Sequence, residues 1–152
     1  MLVIRAAVLS DVTSISALLR SDGMRTEGVL ERSTRYWVAD DEVRLVGAIG
    51  LELGHGCVLL RSAIVVRSAR GQGVGRRLAE HALEWARENG YLTAYCFSTD
   101  AGSYWTARGF SVCSVNEIVK AMPEAPQVRL FDRLGWLPTE SAYRIGLSGI
   151  LP

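Results

Sequence analysis

Cysteine and histidine are scarce in this chain, which limits the chemistry it can carry. Its 152 residues include three cysteines and two histidines, and no Cys-x-x-Cys pair or Cys/His cluster has the spacing of a metal site. The cysteines, Cys57, Cys96 and Cys113, are far apart and have apolar neighbours, so we expect them to be reduced packing residues. The sequence therefore predicts neither a disulfide framework nor a metal cofactor.

The chain also lacks long apolar segments and an excess of charge of either sign. No apolar run reaches the length that spans a membrane, and no secretory signal precedes the first predicted strand. A net charge of +1, from 17 basic and 16 acidic residues, gives no general attraction to nucleic acid or to an anionic membrane. We therefore expect a cytoplasmic protein with neither a nucleic-acid nor a membrane partner.

What the chain does have is a pattern of apolar residues typical of a mixed α/β sheet. With 49% hydrophobic and 22% charged residues, we expect one globular domain over residues 1–152. Short apolar and β-branched runs predict strands at 2–5, 35–39, 43–53, 57–66, 91–97, 111–115 and 141–147. Helical spacing predicts helices at 12–21, 74–89 and 100–108, with weaker patterns at 116–122 and 126–134. Residues 24–33 fit either a short helix or a loop.

Turns and crossovers indicate how these strands are arranged. The turns at 40–42 and 54–56 are short, so the three strands they join are expected to form an antiparallel meander. The strand at 91–97 follows a helical crossover and should run parallel to its predecessor.

The stretch from Arg70 to Arg77 reads Arg-Gly-Gln-Gly-Val-Gly-Arg-Arg and lies between a predicted strand and a predicted helix. Glycines adopt positive φ readily, so they allow backbone N–H groups to converge on one point. The start of a helix adds unpaired N–H groups and the positive end of its dipole. This combination predicts a phosphate-binding loop, and a local cluster of arginines in a nearly neutral chain suits a small anionic ligand.

Two other phosphate-binding families do not fit this loop. Its glycines alternate as Gly-x-Gly-x-Gly rather than G-x-G-x-x-G, and no acidic residue ends a strand about 20 residues later, as dinucleotide-binding folds require. A Walker-type nucleotide triphosphatase needs Gly-Lys-Ser/Thr, which is absent. The loop therefore points to a different phosphate compound.

Arg61 is a charge within the otherwise apolar run 57–66. A charge on a central strand is costly unless it is paired. Strict alternation places Arg61 on the same face as Ala63 and Val65. Two interpretations stay open: a salt bridge to Glu52 across the meander, or a clamp for a substrate carboxylate.

Several of these residues resemble the GNAT superfamily of acetyl-CoA-dependent N-acetyltransferases. The pyrophosphate loop of that family has the form Arg/Gln-x-x-Gly-x-Gly/Ala, which Arg70, Gly73 and Gly75 match, and a Gly-Phe pair follows about 35 residues later. The resemblance covers roughly residues 1–115 and also rests on Arg61-Ser62-Ala63-Ile64-Val65, Ala101, Tyr104-Trp105 and Arg108-Gly109-Phe110. Gly50-Leu51-Glu52 and the long C-terminal connection look like a narrower branch, the N-acetylglutamate-synthase-like proteins and the acetyltransferases of arsenic-resistance operons.

The resemblance implies a GNAT-like fold in which the strands 57–66 and 91–97 splay apart and acetyl-CoA lies in the gap. The pantetheine would then pair with the backbone of Ala63, Ile64 and Val65. The pyrophosphate would sit on the loop and the start of the helix, whose implied cofactor-binding residues are Arg70, Gly71, Gln72, Gly73, Val74, Gly75 and Arg76.

The position that the family uses for its catalytic acid differs in this chain. The usual tyrosine, four residues before the Gly of Gly-Phe, is here Trp105, which has no ionisable proton to donate. The family's asparagine, three residues before the alanine, is here Ser98. Ser98, Thr99 or a water could assist the leaving thiolate, and Tyr104 is a further candidate, with a packed aromatic as its alternative interpretation.

The catalytic base is not evident either, because no carboxylate lies on the strand 57–66. Glu52, on the neighbouring strand, could act as base through a water, or could be a solvated charge at the end of its strand. His55 is the other nearby candidate, but its position between two glycines favours a turn residue.

The function that follows is acetyl transfer from acetyl-CoA to the amine of a small, amino-acid-like substrate, by direct attack of the amine on the thioester. An α-amine with a pKa of about 8 needs little help to lose its proton, whereas a lysine side chain near ~10.4 needs more. The alternative is a non-catalytic acyl-CoA-binding regulatory module, which Trp105 and the missing strand carboxylate favour. The sequence leaves a homodimer open.

Overall fold

The computed structural model describes residues 1–147, and within them the chain forms seven strands and five α-helices. The strands are β1 (Val3–Ala6), β2 (Thr34–Asp40), β3 (Leu45–Leu53), β4 (Cys57–Val65), β5 (Thr93–Ser98), β6 (Ser111–Cys113) and β7 (Ser141–Gly146). The helices are α1 (Val12–Ser21), α2 (Val74–Glu88), α3 (Gly102–Ala107), α4 (Val115–Ala121) and α5 (Pro126–Leu134). The predicted mixed α/β class is confirmed.

The strands follow the order β1-β2-β3-β4-β5-β7-β6 in the sheet. Short turns join β2 to β3 and β3 to β4, closed by Asp41 N–H to Arg44 O at 3.1 Å and Gly54 N–H to Cys57 O at 2.9 Å. β4 and β5 pair in parallel, from Cys57↔Thr93 to Leu60↔Cys96, which confirms the predicted crossover. β7 lies between β5 and β6 and is antiparallel to both. The sequence pattern did not predict this insertion.

Contacts divide the chain into two compact units. The N-terminal unit comprises Met1–Leu51 and Ser62–Trp85, and the C-terminal unit comprises Glu52–Arg61 and the chain from Ala86 onward. The prediction of a single domain over residues 1–152 is not tested by this division, and residues 148–152 lie outside the described residues.

The core of the N-terminal unit forms where α1 packs on strand residues. Ile15 and Leu19 are four residues apart, so they lie on one face of α1, and both are fully buried. They belong to one apolar cluster with residues of β2, β3 and β4, namely Tyr36, Val38, Ala48 and Ile64. The apolar residues whose helical spacing predicted α1 are therefore the residues that pack into the core.

The core of the C-terminal unit is built by α4 and α5 against β4, β5 and β7. Its buried members are Cys57, Leu59, Tyr95, Ile118, Met122, Ala125, Val128 and Ala142. Ser114 caps α4 by accepting the Glu117 N–H at 3.1 Å. α5 has a proline at its start and ends at Gly135, whose φ is +74°, as is common at helix C-termini.

Three predicted boundaries differ from the structure for local reasons. The strand predicted at 111–115 ends at Cys113, because Ser114 caps α4 and Val115 is its first residue. The strand predicted from residue 43 begins at Leu45, because the Asp41 carboxylate accepts the N–H groups of Val43 and Arg44 in the turn. Residues 24–33 contain turns rather than a helix, so the loop alternative is the correct one.

Two further predictions concern cysteines and membrane segments. Cys57 and Cys96 are buried and Cys113 is half-buried, all three as thiols. Within residues 1–147, none of the helices combines the length and the apolar character that a membrane crossing requires.

Candidate functional site

The glycine loop lies immediately before α2 in the N-terminal unit. Gly71 and Gly73 have φ values of +79° and +81°, a region that only glycine adopts at little cost. The first hydrogen bond of α2 runs from Arg77 N–H to Gly73 O at 3.0 Å. The N–H groups at 74–76 therefore precede that bond, and none has a backbone partner within the described chain. These amides and the helix dipole form a place for an anionic group.

The arginines beside the loop have different partners. Arg70 Nε donates to the Val65 carbonyl at 2.8 Å, and its Nη2 pairs with Asp22 at 3.2 Å. Arg70 therefore ties the loop to the end of β4. The guanidinium of Arg76 lies 3.8 Å from Glu80 in an exposed pair. Its Nη2 would be 3.7 Å from a Cβ added at Gly73, so Arg76 is beside the loop.

β4 changes conformation at Ser62, whose φ is +56°. For a residue other than glycine this left-handed conformation costs about 1–2 kcal/mol. The Ser62 hydroxyl lies 2.9 Å from the Tyr36 hydroxyl. We expected Arg61 and Ala63 to share a face, and the structure shows that Arg61 is buried whereas Ala63 is exposed. Regular alternation requires extended backbone, and Ser62 interrupts it.

Glu52 and Arg61 form a buried ion pair in the C-terminal unit. Arg61 Nη1 donates to Glu52 Oε2 at 2.8 Å, and Glu52 and Arg61 are 0% and 9% exposed. The backbone N–H of Gln127, in the first turn of α5, donates to both carboxylate oxygens at 3.0 and 3.1 Å. The side-chain amide of Gln127 donates to the Leu60 carbonyl at 3.1 Å. The salt bridge expected as one alternative is confirmed, and the alternative of Glu52 as a solvated charge is wrong.

Burial dominates the proton affinity of Glu52. It raises the pKa of this carboxyl above its usual range, although the Arg61 charge and the Gln127 N–H favour the ionised form. A raised pKa brings proton exchange closer to neutral pH, which suits acid–base chemistry. Glu52 has no exposed surface, however, so the predicted role as base remains a prediction.

The residues around the predicted acid position have structural partners. The Ser98 hydroxyl accepts the Ala101 N–H at 2.9 Å and so shapes the turn into α3. Trp105 is buried and packs edge-on against Phe110, with centroids 5.3 Å apart. Tyr104 is 36% exposed, lies edge-on to Trp105 and carries the Arg108 guanidinium 5.1 Å from its ring centre. These contacts match the packed-aromatic interpretation of Tyr104.

Comparison of this chain with known proteins identifies the family to which it belongs. The model of the acetyltransferase (GNAT) family matches residues 12–110. This chain belongs to the GNAT family. The predicted resemblance to this family is therefore confirmed, and the matched range contains the loop at Arg70–Gly75 and ends at the Gly109-Phe110 pair.

GNAT relatives of known sequence include an amino-acid acetyltransferase from Neisseria meningitidis serogroup B, which is 28% identical over 126 residues. The match covers 76% of this chain and 28% of that relative, so the chain spans about a quarter of the length of the curated relatives it matches.

GNAT structures confirm the predicted fold. An acetyltransferase of the GNAT family from Staphylococcus aureus superposes with a TM-score of 0.78 at 16% identity, covering 97% of this chain and all of that chain. N-acetylglutamate synthase from Neisseria gonorrhoeae, crystallised with coenzyme A and N-acetyl-glutamate, has a TM-score of 0.77 at 24% identity, covering 97% and 35%. At these identities the likeness establishes architecture.

Within this GNAT chain, three residues of interest were missed by the sequence analysis. Gln127 lies 75 residues from Glu52, in a weakly helical stretch between prolines, and nothing local marks it. Tyr36 and the conformation of Ser62 were also missed. Gly50 could have indicated Tyr36, because a Cβ at Gly50 would lie 2.6 Å from the Tyr36 ring, and a glycine inside a strand often marks close packing.

Proposed function

We propose that this protein transfers an acetyl group from acetyl-CoA to the amine of a small, amino-acid-like substrate, by direct attack of the amine on the thioester. The observation that carries the proposal is the loop before α2, with two left-handed glycines and with amides at 74–76 that have no backbone partner within the described residues. Its membership in the GNAT family supports the same conclusion.

The residues of the N-terminal unit fit the cosubstrate. The amides of the loop suit a pyrophosphate, and a Cβ at Gly71 would meet no atom within 4 Å, so the backbone there is open to a ligand. Arg70 holds the loop and Arg76 adds positive charge. In this proposal the segment 63–65 binds the pantetheine through its backbone, and acetyl-CoA supplies the activated acyl group.

The candidates for binding the acceptor and for moving protons are single residues, each proposed on its own contacts. Arg61 is the candidate for binding an acceptor carboxylate, and it would do so while Glu52 remains its partner. Glu52, Ser98 and Tyr104 are the candidates for handling protons. The relatives named amino-acid acetyltransferase support an amino-acid acceptor. An α-amine of pKa about 8 also demands less of a base than a lysine amine of about 10.4.

Thiol release from acetyl-CoA tests the proposal. The protein is assayed with α-amino acids, with the matching amines that lack the α-carboxylate, and without acceptor. We expect turnover that depends on the acceptor and favours amino acids over the matched amines. Equal turnover with both sets would contradict a carboxylate-binding role for Arg61.

The second candidate is a regulatory module that binds acyl-CoA without transferring it. The observation that favours it is Trp105, which is buried at the position of the family's acid. This candidate predicts tight binding of acetyl-CoA by calorimetry and no thiol release with any acceptor. That combination would overturn the proposed catalytic function.

A further inference from the structure

Ser62 adopts an unusual conformation for its place in the fold. Three residues other than glycine have positive φ in the described chain: Leu30, Glu42 and Ser62. Leu30 and Glu42 lie in turns, whereas Ser62 lies within β4. Backbone strain of this kind persists only where surrounding structure imposes it, so the contacts of Ser62 explain how it is maintained.

The Tyr36 hydroxyl is the contact that reaches Ser62. The two oxygens are 2.9 Å apart, and either hydroxyl can be the donor. Tyr36 is 2% exposed, so its ring has little freedom to move. Tyr36 is buried and Ser62 is half-buried. A hydroxyl removed from water costs stability unless it is hydrogen-bonded, so this hydrogen bond stabilises the arrangement of the two residues.

Gly50 provides the space for the Tyr36 ring. A Cβ at Gly50 would lie 2.6, 2.7 and 2.9 Å from three carbons of that ring, and Gly50 does not need glycine for its backbone, since its φ is not positive. Residues on three successive strands therefore depend on one another. The absence of a side chain at the glycine on β3 leaves room for the tyrosine ring of β2, and the tyrosine hydroxyl forms a hydrogen bond with the serine of β4.

The residues after Ser62 are those that the proposed function assigns to acetyl-CoA. Ala63 is exposed, Ile64 is buried and Val65 is half-buried, after five consecutive buried residues at 57–61. A left-handed residue changes the direction of the amides that follow it. Val66 N–H again donates to β3, at the Val46 carbonyl, at 2.8 Å, so the change in direction is confined to a short segment.

We propose that Tyr36 and Ser62 are a positioning pair. The pair sets the direction of the backbone N–H groups at 63–65, so that the segment which binds the pantetheine also presents an N–H group to the acetyl carbonyl. This proposal rests on the proposed function. Neither hydroxyl is assigned a proton-transfer step. The pair acts through the backbone, and misplacement of a group by about 1 Å can lower a rate by about 100-fold.

The test compares kcat with cosubstrate affinity in Tyr36→Phe, which removes one oxygen and leaves the ring over Gly50. We expect kcat to fall at least about tenfold, while the Kd for CoA changes less than about twofold, because the glycine loop is intact. Tyr95→Phe is the matched control, because it removes one hydroxyl oxygen from another buried tyrosine of the sheet. Its kcat should remain at the wild-type value. Unchanged kcat in Tyr36→Phe would overturn the proposal.

A double-variant cycle separates a pair from two independent stabilising residues. If one hydrogen bond carries the effect, Tyr36→Phe/Ser62→Ala should be no slower than the slower single variant. Multiplied effects would overturn the proposal. Ser62→Gly, which accepts positive φ without strain, should retain more activity than Ser62→Ala, and the opposite order would also overturn it.

An inactive wild-type protein would overturn the proposed function and still leave the pair testable. The readout is then the ratio of the Kd values for acetyl-CoA and CoA, which reports the contact with the acetyl group alone. We expect Tyr36→Phe to lower the preference for acetyl-CoA at least about threefold. The same ratio in the wild type and in Tyr36→Phe would overturn the positioning role.

Discussion

Each unit of this protein contains a carboxylate paired with an arginine, and the two carboxylates respond in opposite ways. In the N-terminal unit, the hydrogen bonds from Arg5 lower the pKa of Asp11 although this residue is buried. In the C-terminal unit, burial raises the pKa of Glu52 despite the Arg61 partner. The shortest N–O distance does not explain the difference, because it is 2.8 Å in both pairs.

Desolvation of the carboxylate explains it: burial is the largest cause at Glu52, whereas the hydrogen bonds from Arg5 outweigh burial at Asp11. The Arg5 side chain is 35% exposed and that of Arg61 is 7% exposed. Water stabilises the charges of the first pair, whereas the second pair must offset the desolvation of both ions through its own contacts. The comparison teaches that a carboxylate–arginine pair stabilises one unit directly, whereas the pair in the other unit must stay intact so that neither buried charge is left unpaired.

Breaking the buried pair should produce the largest effect. Arg61→Met leaves Glu52 buried without its cation, so we expect the free energy of unfolding to fall by about 3–5 kcal/mol at pH 7. Urea denaturation measures it. Because burial already raises the pKa of Glu52, protonation removes the unpaired charge, and the loss should shrink as the pH falls.

The double variant Glu52→Gln/Arg61→Met is the control for that experiment. It removes both charges and keeps an acceptor oxygen at position 52, so it should recover at least half of the loss. A single variant that lost less than about 1 kcal/mol would show that the pair behaves like an exposed one.

Two glycines with positive φ, one in each unit, allow a second comparison that tests the proposed cosubstrate loop. Gly73, before α2, and Gly135, after α5, have φ values of +81° and +74°. Glutamate at either position carries the same left-handed penalty of about 1–2 kcal/mol. Gly73→Glu also places a negative charge where a pyrophosphate is proposed, so we expect acetyl-CoA affinity to fall at least about 100-fold, or about 2.7 kcal/mol, by calorimetry.

Gly135→Glu is matched in conformation and should keep acetyl-CoA affinity within about twofold of the wild type. Equal losses in the two variants would mean that unfolding, rather than the loop, determines the affinity. Retained affinity in Gly73→Glu would refute the placement of the pyrophosphate.

The partly exposed pair should give the smallest effect. Asp11 accepts from Arg5 at 2.8 and 3.0 Å and from the Val8 N–H at 2.8 Å. Asp11→Asn should lower the free energy of unfolding by about 1–2 kcal/mol at pH 7. Because the folded-state pKa is lowered, the carboxylate stabilises the protein above its unfolded pKa of about 4, and the difference from the wild type should vanish as the pH falls through the folded-state value.

Asp22→Asn provides the comparison for Asp11→Asn. Asp22 pairs with Arg70, and both side chains are about half exposed, at 45% and 46%. Such pairs contribute about 0–1 kcal/mol, so denaturation should barely distinguish this variant. A loss equal to that of Asp11→Asn would contradict the role assigned to exposure.

The features that sequence analysis predicted are those formed by residues that are close together in the sequence. The loop at Arg70–Arg77 is continuous in the chain, and its glycine spacing excludes other phosphate-binding motifs. The pair of Glu52 and Arg61 was predicted as one alternative, because a short turn brings their strands together. In each case few residues separate the groups that meet.

The features that were missed depend on contacts between distant segments. Gln127 reaches Glu52 across 75 residues, and apolar periodicity says nothing of which carbonyl or carboxylate a helix start will meet. Serine has no propensity for positive φ that would mark Ser62, and the Tyr36 hydroxyl that contacts it lies 26 residues earlier in the chain. The base and acid of the proposed reaction depend on contacts of this kind, so they remain predictions.

The position of β7 between β5 and β6 affects the order in which the strands can pair as the chain is synthesised and folds. During synthesis β5 and β6 leave the ribosome well before β7, and neither is the sheet neighbour of the other. β6 gains its antiparallel partner only when residues 142–144 arrive, so the closing contact joins segments about 30 residues apart and comes late. The last-made strand of the described chain is thus the one that completes the C-terminal unit.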